Sequence, residues 1–107
     1  MSTAITVFRG DPAATVNLAV TSSTGRVQVF TTTPSIVSEP VIRLYNAGTV
    51  AVFVNFGDSS VTAALATGIP IAPGSVETFR VDSTQVYVAG ITASGTATLY
   101  ATPGYGA

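Results

Sequence analysis

No cysteine, histidine, tryptophan or lysine occurs anywhere in this chain. Without cysteine there are no disulfides and no thiolate nucleophile. Without histidine or lysine, a serine or threonine nucleophile has only a carboxylate or the N-terminal amine to take its proton. Charge is scarce as well: Arg9, Arg26, Arg43 and Arg80 face five acids, the net charge is -1, and charged residues make up 8% of the chain against about 25% in ordinary soluble domains. Four scattered arginines form no basic stripe for a phosphate backbone, so nucleic acid is not an expected partner. Nor is a membrane. Thr, Ser, Gly and Pro interrupt every apolar stretch short of the ~18 residues that a spanning helix requires. The stretch Met1 to Ile5 lacks the basic and apolar regions of a secretory signal, so synthesis in the cytoplasm is expected.

What the chain does have is β-branched side chain. Seventeen Thr and fifteen Val against four Leu bias it toward strands, because branching at Cβ costs rotamer freedom in a helix and packs well on a pleated surface. Candidate strands are Ala4 to Phe8, Thr15 to Val20, Arg26 to Thr32, Val41 to Tyr45, Val50 to Phe56, Val61 to Leu65, Val76 to Val81, Val86 to Ile91 and Thr96 to Ala101. Turn signals separate them at near-regular spacing, carried by Asn46 and Gly48, Gly57 and Asp58, Pro73 and Gly74, and Asp82 among others. Eight or nine short strands with no significant helix predict an all-β fold, an antiparallel β-sandwich of jelly-roll type. The 107 residues fit one domain with one modest core. Within it, residues 1–10 read as an attachment arm or edge strand, and 102–107 as a short Gly-rich tail.

Alternation assigns faces. In Val41 to Tyr45, Ile42 and Leu44 share one side and Arg43 takes the other; in Val76 to Val81, Glu77, Phe79 and Val81 oppose Val76, Thr78 and Arg80. The stretch Ala51 to Phe56 is apolar on both faces. One face is expected in the core and the other against a neighbouring subunit or the chain's own loops. The segment from Ala66 to Glu77 reads as a loop ending in a Pro-Gly turn, since Pro70 and Pro73 each remove a ladder donor.

Asp58, followed by Ser59 and Ser60, and Asp82, followed by Ser83 and Thr84, are the nearest thing to a chemical motif. A paired-carboxylate hydrolase would need both turns at one end of the sandwich. The alternative is that each carboxylate accepts a backbone N–H two or three residues on and closes an Asx turn. The latter reading is preferred, with no catalytic residue, metal ligand or cofactor expected. The Asp-rich loop of a calcium site and a Gly-rich phosphate loop are both absent.

Tyr45, Tyr87, Tyr100 and Tyr105 are able to stack on sugars or to serve as strand aromatics with a wet hydroxyl. Tyr105, in Thr102 to Ala107, either dangles or docks on a partner. Arg9, Asp11 and Arg26 lie in or beside the apolar N-terminal segment, as rim contacts or in solvent. These four, Arg9, Asp11, Arg26 and Tyr105, are the candidate contact residues. A charge so near zero offers little repulsion between copies and favours assembly, with a homo-oligomer, dimer or trimer, expected.

From Arg43 to the C-terminus the chain resembles small virion proteins of tailed bacteriophages, in particular capsid decoration or cement proteins and other head or tail accessory proteins. The resemblance is carried by Asn46-Ala47-Gly48 before an apolar strand, Phe56-Gly57-Asp58, Pro70-Ile71-Ala72-Pro73-Gly74, and the closing Ala93 to Thr98 with Thr102-Pro103-Gly104. It implies a β-sandwich or jelly-roll protein of the virion, made in the host cytoplasm, that binds junctions of the major capsid protein and stabilises the capsid without catalysis. The other role it implies is a tail, collar or head-fibre module that binds a host surface glycan.

Overall fold

The computed structural model describes residues 8–34 and 39–106. They form nine strands: β1 Arg9–Gly10, β2 Val16–Val20, β3 Gly25–Gln28, β4 Pro40–Asn46, β5 Val52–Gly57, β6 Ile69–Ile71, β7 Val76–Arg80, β8 Tyr87–Ile91 and β9 Ala97–Tyr105. Among the described residues there is no helix, and so none long and apolar enough to cross a membrane. All pairings are antiparallel. One sheet runs β2-β9-β4-β7, with β1 beyond β2 along the same edge of β9; the other runs β3-β8-β5-β6. Early strands therefore pair with late ones, β2 with β9, β3 with β8, β4 with β7 and β5 with β6. This is a hairpin rolled up on itself, the jelly-roll order.

The core lies between the sheets and follows the alternation of side chains along each strand. Val20, Ile42, Leu44, Leu99 and Ala101 of the five-stranded sheet meet Val52, Val54, Ile71 and Val88 of the four-stranded one. Phe56 and Phe79 close the space between the sheets with ring centroids 5.3 Å apart.

The strands differ from the sequence reading in four places. Val61 to Leu65 is not a strand: the Val61 N–H bonds back to Asp58 O, the Gly68 N–H to Ala64 O, and the Ala63 N–H to Thr24 Oγ1, so the donors a ladder needs are already used. The strand lies instead at Ile69–Ile71, inside the expected loop. Pro70 is tolerated there because β6 is an edge strand that, among the described residues, pairs with β5 alone, and an edge strand can lack an outward N–H without losing a ladder bond. The third is the chain's end: residues 102–105, expected as a tail, continue β9. Of the expected first strand, Ala4 to Val7 lies outside the described residues, and pairing begins at Arg9. β3 ends at Gln28 rather than Thr32, since the Val29 and Phe30 N–H groups both turn to Val86 O.

β1 and β2 are one edge strand broken in the middle. The Asp11 N–H still bonds to Pro103 O at 2.9 Å, but Pro12 has no N–H and Ala13 takes a left-handed φ of 61°. Beyond the break, a hydroxyl pair, Thr15 Oγ1 to Thr102 Oγ1 at 2.8 Å, resumes contact with β9.

At the opposite end, one buried amide ties the sheets together. Asn46 is fully buried; its Nδ2 donates to Val50 O at 2.9 Å and to Ile71 O at 3.0 Å, and its Oδ1 accepts from the Gly48 N–H at 2.9 Å. Its backbone holds the next turn, accepting from the Gly74 N–H and donating to Ser75 O. That turn, Ala72-Pro73-Gly74-Ser75, closes through Ser75 N–H to Ala72 O, with Gly74 at φ 77° where a side chain would be strained. Replacing Asn46 by Ala strands two carbonyls and one N–H in or near the interior. A loss of about 3 kcal/mol in unfolding free energy is expected, read from the urea midpoint at unchanged slope.

Candidate functional site

The acidic turns come first, because they carry the only hydrolytic possibility that the sequence raised. Gly57 pairs with Tyr87, so the loops holding Asp58 and Asp82 do emerge at one end of the sandwich. Each carboxylate, however, is committed to its own turn. Asp58 Oδ1 accepts from the Ser60 N–H at 2.9 Å and the Ser60 hydroxyl at 2.6 Å. Asp82 Oδ1 accepts from the Thr84 N–H at 2.9 Å and the Thr84 hydroxyl at 2.7 Å. These bonds hold both carboxyls below the ordinary aspartate range, the hydroxyl contributing most and the backbone N–H next; Arg26 adds a lesser attraction at Asp58. A carboxylate so held is a poor base and a poor proton donor near neutral pH. Among the described residues no three His, Cys, Asp or Glu side chains gather as metal ligands do.

Three of the four candidate contact residues meet at that same end. Arg9 is the register partner of Tyr105 across β1 and β9, and with Asp11 and Pro12 the pair lines a surface cleft of about 510 Å3. On its other side Tyr105 borders a second cleft of about 370 Å3, walled by Asp11, Thr31, Thr32 and Phe30. Tyr105 does not dangle. It sits in β9 on the inward side, its ring tilted against Phe30 at 6.4 Å between centroids, with 37% of its surface exposed. Arg26 is elsewhere, on the outer side of β3 opposite Ala89.

The two outer sheet faces differ. Over the four-stranded sheet, the 58–68 loop folds back across β5 and β8: Asn55 Nδ2 donates to Thr62 O, Ala63 is bonded to Thr24, and Gly68 packs on Phe53. This covering by the chain's own loop answers the two-faced apolarity of Ala51 to Phe56. Over the five-stranded sheet the Phe8 ring lies on Arg43 and beside Gly104, and the rows toward Tyr45 and Tyr100 are exposed among the described residues. There the register aligns Val76, Tyr45, Tyr100 and Asn17 in one row, 55%, 41% and 39% exposed for the first three. The two tyrosine rings are stacked, 6.1 Å apart at 19°. A second row holds Thr78, Arg43, Thr102 and Thr15. Arg43 Nε donates to Thr78 Oγ1 at 3.1 Å, and its guanidinium lies 4.0 Å over the Phe8 ring, a cation–π contact.

Sequence reasoning named both tyrosines but missed Arg43. Its only sequence signal was outward parity on β4; the neighbours that fix it come from residues 8 and 78, brought together by register alone. Tyr87, by contrast, is half-buried, its hydroxyl facing Gln28 Oε1 at 3.5 Å.

The fold and these surfaces define a small jelly-roll β-sandwich whose described residues leave an end cleft and one open sheet face. No protein-family model and no curated protein matches the chain. Among solved structures it is similar to one of Bacillus endospore appendages, described as a novel family of disulfide-linked pili, at 20% identity and a TM-score of 0.44, with 99% of this chain and 94% of that one covered.

Two expectations follow. A carboxyl whose pKa is lower folded than unfolded stabilises the fold fully above the unfolded value, about 3.9, and loses that contribution as pH falls through the folded value. Stability should therefore drop on acidification below about pH 4, and the Asp58→Asn, Asp82→Asn double variant, which keeps an acceptor but cannot titrate, should show a flatter acid limb in pH-dependent urea melts. Gly104 is also constrained: a Cβ there would meet the Arg9 carbonyl oxygen and come within 2.8 Å of Phe8 Cε1. Gly104→Ala should lift β1 from β9, accelerating hydrogen exchange at the Asp11 N–H by more than about tenfold while the Leu99 amide keeps its protection.

Proposed function

We propose that this protein is a non-enzymatic structural component of a phage virion, a capsid decoration or cement module that binds junctions between subunits of the major capsid protein and stabilises the shell. The observation that carries the reading is the convergence of Arg9, Asp11 and Tyr105 around one end cleft, where the two ends of the described chain lie side by side. The resemblance of residues 43–107 to virion proteins supports it independently. So does the chemistry: with both Asp turns closed on themselves, the site offers shape, an aromatic ring and one charge of each sign, a set suited to docking rather than bond-breaking. A near-neutral surface further favours packing of many copies, as a dimer or trimer at each junction.

A second reading, a tail, collar or head-fibre module binding a host surface glycan, is favoured by the stacked and exposed Tyr45 and Tyr100. Copy number separates the two. Quantitative mass spectrometry of purified particles should find this protein near one copy per major capsid subunit, or one per local three-fold junction. A handful of copies would move the glycan reading to the front, and absence from particles would end both. On undecorated shells, binding should saturate at a fixed ratio, and Tyr105→Ala or Asp11→Ala should weaken it about tenfold, the scale of a contact residue worth 1.4 kcal/mol.

A further inference from the structure

The open face of the five-stranded sheet holds a second assembly that differs in kind from the end cleft. We propose that it binds an acidic saccharide, a sugar carrying a ring-borne carboxylate, with the pyranose against Tyr45 and Tyr100 and the carboxylate on Arg43. The inference rests on the glycan reading above and goes past it to the class of sugar.

Four features of the face specify this ligand. Tyr45 and Tyr100 stack on each other, so their rings stand as a fixed pair that loses little freedom when a ligand settles on it. Their aromatic row is only one residue deep along the strands. Immediately beside it, Thr78, Thr102 and Arg43 supply hydroxyls and a guanidinium, and Asn17 ends the row with an amide. A sugar ring has the matching anatomy, an apolar C–H face bordered by hydroxyls, whereas a docking protein favours a broad apolar centre with polarity confined to the rim.

Arg43 decides the charge. It is the only ionisable group other than the tyrosine hydroxyls in the two rows that include Tyr45 and Thr78; Arg80, further along β7, is already paired with Glu39 at 3.0 Å. The Phe8 ring and the bond from Nε to Thr78 fix the plane of the guanidinium while no described residue engages its Nη edge. A guanidinium immobilised in this way is a ready fork for a carboxylate, to which it donates two parallel hydrogen bonds. Arg43 and Tyr45 stand on the same side of β4, two residues and therefore about 6.6 Å apart along the strand. A ring on the tyrosines consequently presents its substituents to the guanidinium.

The test uses the full chain and three polymers, polysialic acid, polygalacturonate and neutral dextran, titrated calorimetrically at low and moderate salt. The acidic polymers should bind at least about tenfold more tightly than dextran, and that advantage should shrink as salt screens the charge. Arg43→Gln should abolish the preference for acid; Tyr100→Thr, which keeps a strand-forming residue, should abolish binding; Thr67→Ala, at an exposed position over the other sheet, should leave both unchanged. Melting curves of the three variants identify any that fails to fold, and Tyr45→Thr then replaces Tyr100→Thr. Equal binding of acidic and neutral polymers would overturn the acidic class while leaving glycan binding intact. No binding of any polymer would overturn both. Loss of capsid-shell retention in Arg43→Gln, with no saccharide bound by the parent protein, would assign the face to a protein partner and overturn the proposal as well.

Discussion

One side-chain amide holds this sandwich in register. Apolar burial drives the two sheets together, but it is non-directional and tolerates sliding. Asn46 does not. Its amide spans from β4 in one sheet to the Ile71 carbonyl in the other and to Val50 in the connection between them. Each donor and the acceptor has a partner, so the burial of a strongly polar group stabilises only the arrangement in which all three bonds form. A slip of one residue in β4 would turn Asn46 outward, strand the Ile71 carbonyl and carry Arg43 and Tyr45 into the core. The placement of both outward residues on the open face is thus a consequence of the same amide.

That constraint sits at the end where four tight connections join the sheets, and it leaves the other end free to vary. The long 58–68 loop, the broken β1–β2 edge and the end of β9 all gather away from Asn46. Two non-glycine residues with positive φ among the described residues, Ala13 at 61° and Glu39 at 55°, lie there too. Such backbone costs of order 1–3 kcal/mol per residue, and it persists where surrounding contacts over-determine it. Here the Asp11 N–H to Pro103 and the Gly106 N–H to Glu39 O bracket the two positions. The cleft around Tyr105 is therefore built on pinned backbone rather than on a slack terminus.

The fold was legible in the sequence to the extent that short-range chemistry determines it. Valine and threonine content, turn residues and strand alternation were enough for an all-β sandwich, and the faces of Val41 to Tyr45 and Val76 to Val81 follow parity as written. Two kinds of information were out of reach. Val61 to Leu65 and Ile69 to Ile71 differ by which backbone donors a distant Thr24 and the local turns consume, and β-propensity alone favours the wrong one. The other is register. Tyr45 and Tyr100 are separated by more than half the chain, and nothing local to either announces that they stack. The N-terminal residues Arg9 and Asp11 were read as beside a strand; that β9 reaches far enough to bring Tyr105 to them depends on Thr102 to Tyr105 pairing, against the expectation that a Gly- and Pro-containing end would not.

Strand β9 links the two candidate surfaces and also keeps them apart. Ala97, Leu99, Ala101, Pro103 and Tyr105 face inward along it, while Thr98, Tyr100 and Thr102 face out. Tyr105 therefore borders the end cleft from the core side, and Tyr100 lies on the open face from the solvent side, with four residues of one central strand between them. Substitutions at either tyrosine leave the other's neighbours in place, since mutations separated by this distance and sharing no partner act independently. The scarcity of charge sharpens the separation. Arg80 is engaged by Glu39, Arg26 lies on the outer side of β3 opposite Ala89, Arg43 is fixed over Phe8, and Arg9 lines the end cleft, so each arginine belongs to a different locality. In a chain whose side-chain cations are these four arginines, the one that the described strands place in the rows of the open face is Arg43.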